Sequence, residues 1–280
     1  MKEPKLPIAQ ADRTLHQSRL QLGKQAEVSF QRHTSLTTMN TTKRLGVLIP
    51  SSNTSVEIEL SRSLPSSVTL HSGRLPLLAG VEPDAVEVMV QDIESVSMLL
   101  ASAGVDLIML FATVPSLLHG HGFDKKIAER IKAITGIPAI TTSTAMLDAL
   151  QLIGATRVVL GTPFVSSMNA KIVHFLNGSG IEVLADRGLD ILENQSIGRL
   201  EPESAYEMAV SLDRPDADAI LLACTNWQTL PSIEKAEALL SKPVITTTQA
   251  SLRAVLQAFG LPTDNGPGKL FRMPIPKTAP

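Results

Sequence analysis

The sequence repeats one pattern of apolar runs, and this repeat restricts the fold more than any other feature. Residues 105–145 contain an apolar run that ends at Thr113, a segment of helical length and a second short apolar run. Residues 217–250 contain the same series, with its first run ending at Thr225. Because only two copies occur, the pattern predicts a duplicated half and not a solenoid.

Each copy alternates short apolar runs with longer amphipathic segments. Such β-branched-rich runs are typical of parallel strands that helices cover on both faces. The predicted strands are Leu45–Ile49, Leu107–Phe111, Ala139–Thr141, Val158–Gly161, Ala219–Ala223 and Val244–Thr246. The predicted helices are Pro83–Ala103, Lys125–Thr135, Ser143–Ile153, Ser166–Asn177, Glu201–Leu212 and Ser251–Phe259. The alternation predicts an α/β fold of two pseudo-symmetric lobes, each a mostly parallel sheet flanked by helices, with the active site in the cleft between them.

The chain divides into four parts on this pattern. Residues 1–43 are polar and lack hydrophobic periodicity, which predicts a disordered N-terminal extension; a transit peptide and a start at Met39 are the alternatives. The two predicted lobes are residues 44–145 and 146–260. Residues 261–280 are rich in proline and are expected to form an extended C-terminal tail.

Composition argues against several classes of partner. A net charge of -2, with both signs spread along the chain, argues against binding to nucleic acid or to a membrane surface. Aromatic residues are 3% of the chain, too few for stacking on bases or sugars. No apolar run reaches the roughly 20 residues of a membrane helix, and the single cysteine is compatible with a reducing cytoplasm. We expect a cytoplasmic protein, and the sequence leaves a homo-oligomer open.

Small and polar side chains follow four of the predicted strands. These segments are Pro50–Asn53, Ala112–Thr113, Pro163–Phe164 and Cys224–Asn226. Ligands of open α/β sheets bind beyond the carboxyl ends of the strands. In a protein of two halves those ends can face each other, so we expect one shared pocket. The threonine-rich segments 141–144 and 246–249 are expected to be helix N-caps whose hydroxyls could also face it.

Cys224 is the nucleophilic group of this predicted pocket. It follows an apolar run and precedes Thr225, Asn226 and a helix-like segment. Backbone N–H groups and a helix N-terminus at such a position can lower the pKa of a thiol. The alternative is a buried, inert cysteine. The polar pair after Cys224 favours a functional thiol, whereas the other copy of the repeat has Ala112 at this position.

The loop that begins at Pro50 offers hydroxyls, an amide and backbone donors ahead of a helix. Ser51 and Asn53 in this loop could bind a carboxylate. The alternative interpretation is a helix N-cap, in which Glu57 completes a capping box three residues after Thr54. The two roles are compatible with each other.

The segment 119–124 contains two histidines and an aspartate, which raises the question of a metal site. A closed zinc site requires about four ligands, and the sequence has no second cluster of such residues. A glycine loop over the cleft is the favoured interpretation. Neither a dinucleotide-binding glycine motif nor a Walker loop is present. The sequence therefore predicts no metal site and no nucleotide site.

Taken together, these residues resemble the aspartate/glutamate racemase superfamily, and within it the branch of maleate cis–trans isomerases and arylmalonate decarboxylases. The resemblance runs from about Arg44 to Gly260. It is specific for the branch and weakly specific for the substrate. The segments that carry it are Gly46–Thr54, His71–Pro76, Gly120–Asp124, Asn194 and Cys224–Asn226.

The resemblance implies a cofactor-free enzyme that holds a small carboxylic acid between two α/β lobes. Racemases and isomerases of this group use two cysteines, whereas the decarboxylase keeps only the second, which protonates the carbanion left when carbon dioxide departs. Cys224 is the implied proton-transfer group. The residues implied to bind substrate oxygens are Asn53, Thr113, Asn194, Thr225 and Asn226. The rest of the expected substrate site is Pro50, Ser51, Ala112, Val114 and Phe164.

Three positions depart from the pattern of the branch. Ala112 replaces the first cysteine, so a nucleophile or second base is missing on that face. Val114 stands where a decarboxylase has a hydroxyl, and Phe164 stands where both subfamilies commonly have a tyrosine. Hydrogen bonds to a charged group are worth about 1.5–3 kcal/mol each. Their loss indicates a substrate with fewer carboxylates or with a bulkier apolar group.

A single cysteine fits decarboxylation followed by protonation slightly better than isomerisation, so we expect a single-cysteine enzyme. The loop Pro50–Thr54 and Asn194 look more like the isomerases, which keeps maleate-type isomerisation or Asp/Glu-type racemisation as the alternative. Ectoine-utilisation proteins of the same branch are a further alternative. A different class is a non-catalytic binder of small acids, which Ala112 and Phe164 favour and the retained Cys224 opposes.

Overall fold

The structure is a computed structural model that describes residues 42–78, 83–115, 117 and 119–274. These described residues form one compact unit. The N-terminal extension predicted for residues 1–43, with its alternative start at Met39, lies outside the described residues except at its end. There, Lys43 already belongs to the first strand.

The described residues contain two four-stranded sheets with the same strand order. The first sheet, ordered β2-β1-β3-β4, consists of β1 (Lys43–Pro50), β2 (Val68–Leu75), β3 (Leu107–Leu110) and β4 (Ala139–Thr141). The second sheet, ordered β6-β5-β7-β8, consists of β5 (Arg157–Thr162), β6 (Glu182–Gly188), β7 (Ala219–Leu222) and β8 (Val244–Thr246). All neighbouring strands pair in parallel. The matching order confirms the duplicated half that the repeat predicts.

Helices connect the strands and flank both sheets. In the first half they are α1 (Val56–Ser63), α2 (Pro83–Gln91), α3 (Ile93–Ser102), α4 (Phe123–Thr135) and α5 (Thr142–Leu152). In the second half they are α6 (Ser166–Gly178), α7 (Asn194–Ile197), α8 (Glu203–Leu212), α9 (Ile233–Leu240), α10 (Thr247–Ala258) and α11 (Gly268–Arg272). The predicted two-lobed α/β fold is confirmed. None of the helices in the described part of the chain is long and apolar enough to cross a membrane.

Burial differs among the strands: the edge strands β2, β4 and β6 are partly exposed, whereas the edge strand β8 is buried. β3 and β7 are buried at every position, as expected for parallel strands covered on both faces. All six apolar runs that predict strands coincide with strands of the structure. The edge strand β6 is not among those runs, because Glu182, Asp186 and Arg187 interrupt its apolar residues.

Two repeat-related threonines begin equivalent helices. At the start of α5, Thr141 Oγ1 accepts a hydrogen bond from the backbone N–H of Thr144 at 3.2 Å. At the start of α10, Thr246 Oγ1 accepts one from the N–H of Gln249 at 3.1 Å. The Gln249 side chain accepts a bond from the Thr246 N–H, which completes a capping box. Both predicted N-caps are confirmed.

The capping box expected at Thr54 and Glu57 is not formed, because Asn53 caps α1 instead. Asn53 Oδ1 accepts hydrogen bonds from the backbone N–H groups of Ser55 at 3.0 Å and of Val56 at 3.1 Å. Glu57 pairs with Arg74 of β2. The side chain that begins the helix is therefore also one of the predicted substrate ligands.

Two other segments differ from expectation. The predicted helix Pro83–Ala103 is divided into α2 and α3 at Asp92. The predicted extended tail contains α11, whose Phe271 is only 1% exposed. The backbone at Gly266 packs directly on that ring, since a Cβ at Gly266 would lie 2.0 Å from Phe271 Cδ1. That contact lies within the segment itself. The segment is held against the second half because Gly268 packs on Ile233, where a Cβ would lie 2.5 Å from Cγ2, and because Glu237 accepts a bond from the Lys269 N–H at 2.7 Å; residues 275–280 lie outside the described ranges.

Gly161 in β5 lies against α8 and β7 with no room for a side chain. A Cβ at this position would lie 2.6 Å from Met208 Cγ and 2.8 Å from Leu222 Cδ2. We expect Gly161→Ala to lower the free energy of unfolding in urea by about 1–3 kcal/mol. Gly46→Ala is the matched control, with a nearest contact of 3.1 Å to Val105 Cγ2, and its loss should be smaller. Equal losses at the two glycines would contradict this packing.

Candidate active site

A cavity lies where loops at the carboxyl ends of strands from both sheets meet, the position expected for a ligand site in an α/β protein. The loops after β1, β3, β5 and β7 contribute to it, and α2 adds an apolar wall. The lining residues are Pro50, Asn53, Leu77, Val86, Met89, Ala112, Thr113, Val114, Pro115, Phe164, Asn194, Cys224, Thr225 and Asn226. The two halves therefore build one site together.

With the exception of Ser51, every site residue predicted from the sequence lies in this lining. Ser51 Oγ accepts a hydrogen bond from the backbone N–H of Leu77 at 2.9 Å. The Ser51 carbonyl accepts a bond from Arg74 Nη1 at 3.0 Å. Ser51 therefore positions the segment that follows β2, because its hydroxyl is used by the protein itself.

Four lining residues are not predicted from the sequence. Val86 and Met89 lie one turn apart on α2 and are each 1% exposed, so they form one buried face of that helix. Leu77 and Pro115 complete this apolar wall. Apolar spacing along α2 could indicate that this face is buried. It could not indicate that the face covers a cavity, because that depends on the position of α2 over the sheet.

Asn53 and Thr225 connect three of the loops around the cavity. Asn53 Nδ2 donates to Thr225 Oγ1 at 3.4 Å, while its Oδ1 caps α1. Thr225 Oγ1 donates to the backbone carbonyl of Phe111 at 3.3 Å. Thr113 is also buried in the lining, and its carbonyl accepts a bond from Ser143 Oγ at 3.3 Å. Several polar groups predicted to bind substrate oxygens are thus brought together.

Asn226 joins the second half to the first. Its Oδ1 accepts from the backbone N–H of Thr54 at 2.9 Å, and its Nδ2 donates to the carbonyl of Asn194 at 2.6 Å. The Asn226 carbonyl accepts a bond from Ser55 Oγ at 2.8 Å. Asn194 Nδ2 in turn donates to Ser52 Oγ at 2.8 Å. These bonds hold the loop after β7 and α7 against the loop after β1.

Cys224 is buried in the lining, with 2% of its surface exposed. Burial raises the pKa of its thiol to about 12, and the charge of Glu59 acts in the same direction. The backbone N–H groups of Asn226 and Trp227 lower the pKa but do not offset the burial. The lowered pKa expected from the strand-to-helix position is therefore wrong, and the thiol is protonated at neutral pH.

Ala112, Val114 and Phe164 form an apolar part of the lining, whereas its asparagines and threonines form a polar part. The backbone N–H of Phe164 donates to Thr162 Oγ1 at 3.1 Å. Gly188 lies against the Phe164 carbonyl, since a Cβ at Gly188 would lie 2.0 Å from that oxygen. The backbone of Phe164 is thus held between β5 and β6. A phenyl ring lines the cavity where the resemblance suggests a tyrosine.

No lining side chain in the described part of the chain carries a formal charge. A carboxylate in this site would be held by amides, hydroxyls and backbone N–H groups. The cavity has a volume of about 30 Å³, close to the share of a single water molecule in the liquid. A dicarboxylic acid is larger, so its binding requires the lining residues to move apart.

The histidines of the glycine-rich segment lie outside this lining. His119 Nε2 is 3.3 Å from the carboxylate of Glu87, and His121 Nδ1 is 2.9 Å from Ser179 Oγ. Gly122, at a φ of 85°, precedes α4 as its N-cap, and no residue of the segment 119–124 belongs to the cavity lining. Over the ranges that the structure describes, no group of three or more His, Cys, Asp or Glu side chains could hold a metal ion.

Comparisons with known proteins cover both halves of the chain. A family model described as arylmalonate decarboxylase matches residues 45–271. The arylmalonate decarboxylase of Bordetella bronchiseptica is 26% identical over 234 residues, which are 82% of this chain and 97% of that protein. Similarity therefore extends across the whole cavity.

Two solved structures of maleate isomerases have the same fold. A cysteine-to-alanine variant of the maleate isomerase Iso from Pseudomonas putida S16 with maleate is 30% identical, with a TM-score of 0.79 over 82% of this chain and 98% of that chain. A cysteine-to-serine variant of the Nocardia farcinica maleate cis-trans isomerase, with a covalently bound succinylcysteine intermediate, is 26% identical. Its TM-score is 0.78, over 83% of this chain and 99% of that chain.

Glu59 is a buried carboxyl whose ionisation should affect stability. Burial raises its pKa from 4.5 to about 7, so the folded protein retains a proton that the unfolded chain releases. Its contribution to stability is fully present below pH 4.5 and is lost as the pH rises through 7, by about 3 kcal/mol.

We expect Glu59→Gln to weaken this pH dependence, because the amide has no proton to release. The free energy of unfolding of the wild type, measured in urea, should fall more steeply than that of the variant between pH 4.5 and 7. Parallel pH profiles for the two proteins would contradict the raised pKa.

Proposed function

The chain belongs to the arylmalonate decarboxylase family, and we propose that it is a cofactor-independent enzyme of the maleate isomerase and arylmalonate decarboxylase type. Cys224 alone transfers a proton at the carbon next to a carboxylate of a small mono- or dicarboxylic acid, and decarboxylation is slightly preferred to isomerisation. The observation that carries the proposal is that Ala112 and Cys224, equivalent in the repeat, line the same cavity. Because the chain has one cysteine, the site has one thiol.

The polar part of the lining is the proposed binding site for the carboxylate that remains in the product. Its side chains are neutral and buried, and their contacts with neighbouring loops hold them in place before substrate arrives. Hydrogen bonds to an ionised acceptor are about twice as strong as neutral ones. The proposed ligands are Asn53, Thr113, Asn194, Thr225 and Asn226.

The apolar part of the lining favours the loss of carbon dioxide. A second carboxylate beside Val114 and Phe164 would have no charged partner among the described lining residues, and an ionised group in apolar surroundings is costly. When the carbon–carbon bond breaks, this charge leaves the apolar side as neutral carbon dioxide. The electron pair passes to the α carbon and is delocalised into the remaining carboxylate, where the amide and hydroxyl donors stabilise it.

The protonated thiol of Cys224 suits the final step. Its S–H bond breaks, the proton forms a C–H bond at the α carbon, and a thiolate and a monocarboxylic acid result. The raised pKa makes the proton-loaded thiol the resting form at neutral pH. It also makes the thiolate scarce, which supports protonation over nucleophilic addition.

Maleate-type isomerisation is the second candidate. The contact between Asn194 and Ser52 favours it, because both residues lie in segments that resemble the isomerases. The succinylcysteine of the Nocardia farcinica variant shows that a cysteine of that protein forms a covalent intermediate. Ala112 cannot supply such a nucleophile, so Cys224 would have to, and two-base racemisation lacks its second base. A non-catalytic small-acid-binding protein is the remaining alternative, which Ala112 and Phe164 favour and the retained Cys224 opposes.

Product analysis in deuterated water tests the proposal. We expect 2-methyl-2-phenylmalonate to give 2-phenylpropionate with one deuterium at the α carbon, detected by NMR, because the thiol proton exchanges with solvent. Cys224→Ser should lose at least about 100-fold in rate, since the hydroxyl is a much weaker acid than the thiol. The variant should unfold at the wild-type urea concentration, which controls for loss of fold.

Maleate is the second substrate of this experiment. Fumarate without a deuterated monoacid would refute the preference for decarboxylation and support isomerisation. If neither acid is converted, catalysis is refuted for these substrates and the binding alternative is favoured.

A further inference from the structure

A second and larger depression lies between α4, α5, β4 and α10, and we call it the α5/α10 groove. Its volume is about 820 Å³, and it shares no residue with the lining of the proposed active site. The helices α5 and α10 pack side by side along it, and the hydroxyl of Ser251 donates to Thr142 Oγ1 at 3.2 Å where they begin. Seven of its sixteen lining residues are alanines. The groove is therefore a site separate from the one already described.

The second half of the repeat has the equivalent surface, and there a helix covers it. In the register that aligns β4 with β8, Ala128 and Thr144 of the groove correspond to Ile233 and Gln249. Both of these residues contact Gly268 of α11, where a Cβ would lie 2.5 Å from Ile233 Cγ2 and 3.0 Å from Gln249 Nε2. The strand β8 contacts α11 and is buried at every position, whereas β4 is partly exposed. Within the described ranges, no counterpart of α11 covers the first half.

A buried cation lines the groove without a carboxylate beside it. Arg253 of α10 is 5% exposed, and its two Nη atoms donate to the side chain of Gln257 and to the carbonyl of Met273, each at 3.2 Å. Its Nε has no hydrogen-bond partner among the residues that the structure describes, and none of their Asp or Glu side chains pairs with the guanidinium. A buried charge is costly unless it is paired. Arg253 therefore points to an acidic group on whatever covers the groove.

The groove itself has a carboxylate of this kind. Asp148 of α5 lines the groove and is exposed, and it forms no salt bridge or hydrogen bond with another described residue. Lys125 and Glu129 of α4 add one charge of each sign. A surface that packs on a copy of itself about a two-fold axis must be self-complementary, so that each contact occurs twice. Two basic and two acidic side chains in one groove meet this condition.

We infer that the α5/α10 groove is the contact surface between two copies of this chain that are related by a two-fold axis. Arg253 of each copy pairs with Asp148 of the other. The helices α5 and α10 of one copy lie against the same two helices of the second copy. The alanines suit this arrangement, because the distance between packed helices depends on the size of the side chains at the contact.

Residues 275–280 are the competing occupant of the groove, because the carbonyl of Met273 lies beside Arg253 and the chain continues from there. These six residues include Lys277 but no Asp or Glu. They would bring a second cation to Arg253 and no side-chain carboxylate. The charges of the groove therefore favour a second copy over this segment.

Sedimentation velocity of the full chain, at concentrations from about 1 to 100 µM, tests the inference. We expect the wild type to form a dimer. Asp148→Lys places a cation opposite Arg253 of the other copy, so dimerisation should weaken by at least about 100-fold. Ala254→Arg is the second variant, because it adds bulk and charge at a partly exposed position of the groove, and it should weaken the dimer as well. Urea unfolding of each variant checks that its fold is intact.

Glu207→Lys is the matched control, because Glu207 is an exposed carboxylate on α8 outside the groove. It makes the same change in net charge as Asp148→Lys and should leave the dimer as stable as that of the wild type. A wild type that stays monomeric at every concentration would overturn the inference, as would equal weakening in Asp148→Lys and Glu207→Lys. A monomer that loses stability in urea when residues 275–280 are removed would overturn it in favour of that segment. These measurements need no substrate, so they are independent of the proposed reaction.

Discussion

The hydrogen bonds of Asn226 to the first half are the interaction on which the site depends. Neither sheet forms a cavity alone, because each contributes only the loops at the carboxyl ends of its own strands. Asn226 binds Thr54 of the first half through its side chain and Ser55 through its carbonyl, and its side chain also binds Asn194 of its own half. These contacts place Cys224 beside the loops of the other sheet. The polar residues Thr225 and Asn226, which follow the buried strand β7, are therefore needed for the contact between the two halves as well as for any ligand.

Close contact between the halves also determines the electrostatics of the site. The same burial that encloses the cavity raises the pKa of Cys224 to about 12 and that of Glu59 to about 7. These surroundings disfavour the charged form of each group, and they hold the Cys224 thiol protonated at neutral pH. Backbone N–H groups near the thiol are too weak an influence to reverse this effect. A site built in this way suits the delivery of a proton better than the attack of a thiolate.

Much of the fold follows from the sequence, because local patterns determine it. The repeat predicts two equivalent halves, the apolar runs predict the inner strands, and the threonines at 141 and 246 predict helix starts. The edge strand β6 is not predicted, since a strand exposed on one side needs no continuous apolar run. The helix α11 is not predicted either, because it is held by contacts with residues distant in sequence, such as Gly268 with Ile233 and Lys269 with Glu237, and not by local propensity.

The site is predictable to the extent that its residues follow strands. The loops after β1, β3, β5 and β7 supply the expected residues with the exception of Asn194, which begins α7 and is expected only from the family resemblance. Of the expected residues, only Ser51 lies outside the lining. The pKa of Cys224 is not predictable in this way, because the depth of burial is a property of the whole molecule. Glu59 is overlooked for the same reason. Its partner Leu230 lies 171 residues away along the chain, and no sequence pattern indicates their contact.

The difference between Ala112 and Cys224 gives the two faces of the cavity different chemistry. With a methyl group on one face and a thiol on the other, the proposed mechanism delivers the proton to the α carbon from one side only. The enantiomeric composition of the 2-phenylpropionate formed from 2-methyl-2-phenylmalonate tests this most directly, by chromatography on a chiral phase. One enantiomer in large excess is the expected result, and a racemic product from the wild-type protein would contradict proton delivery by Cys224 from a single face.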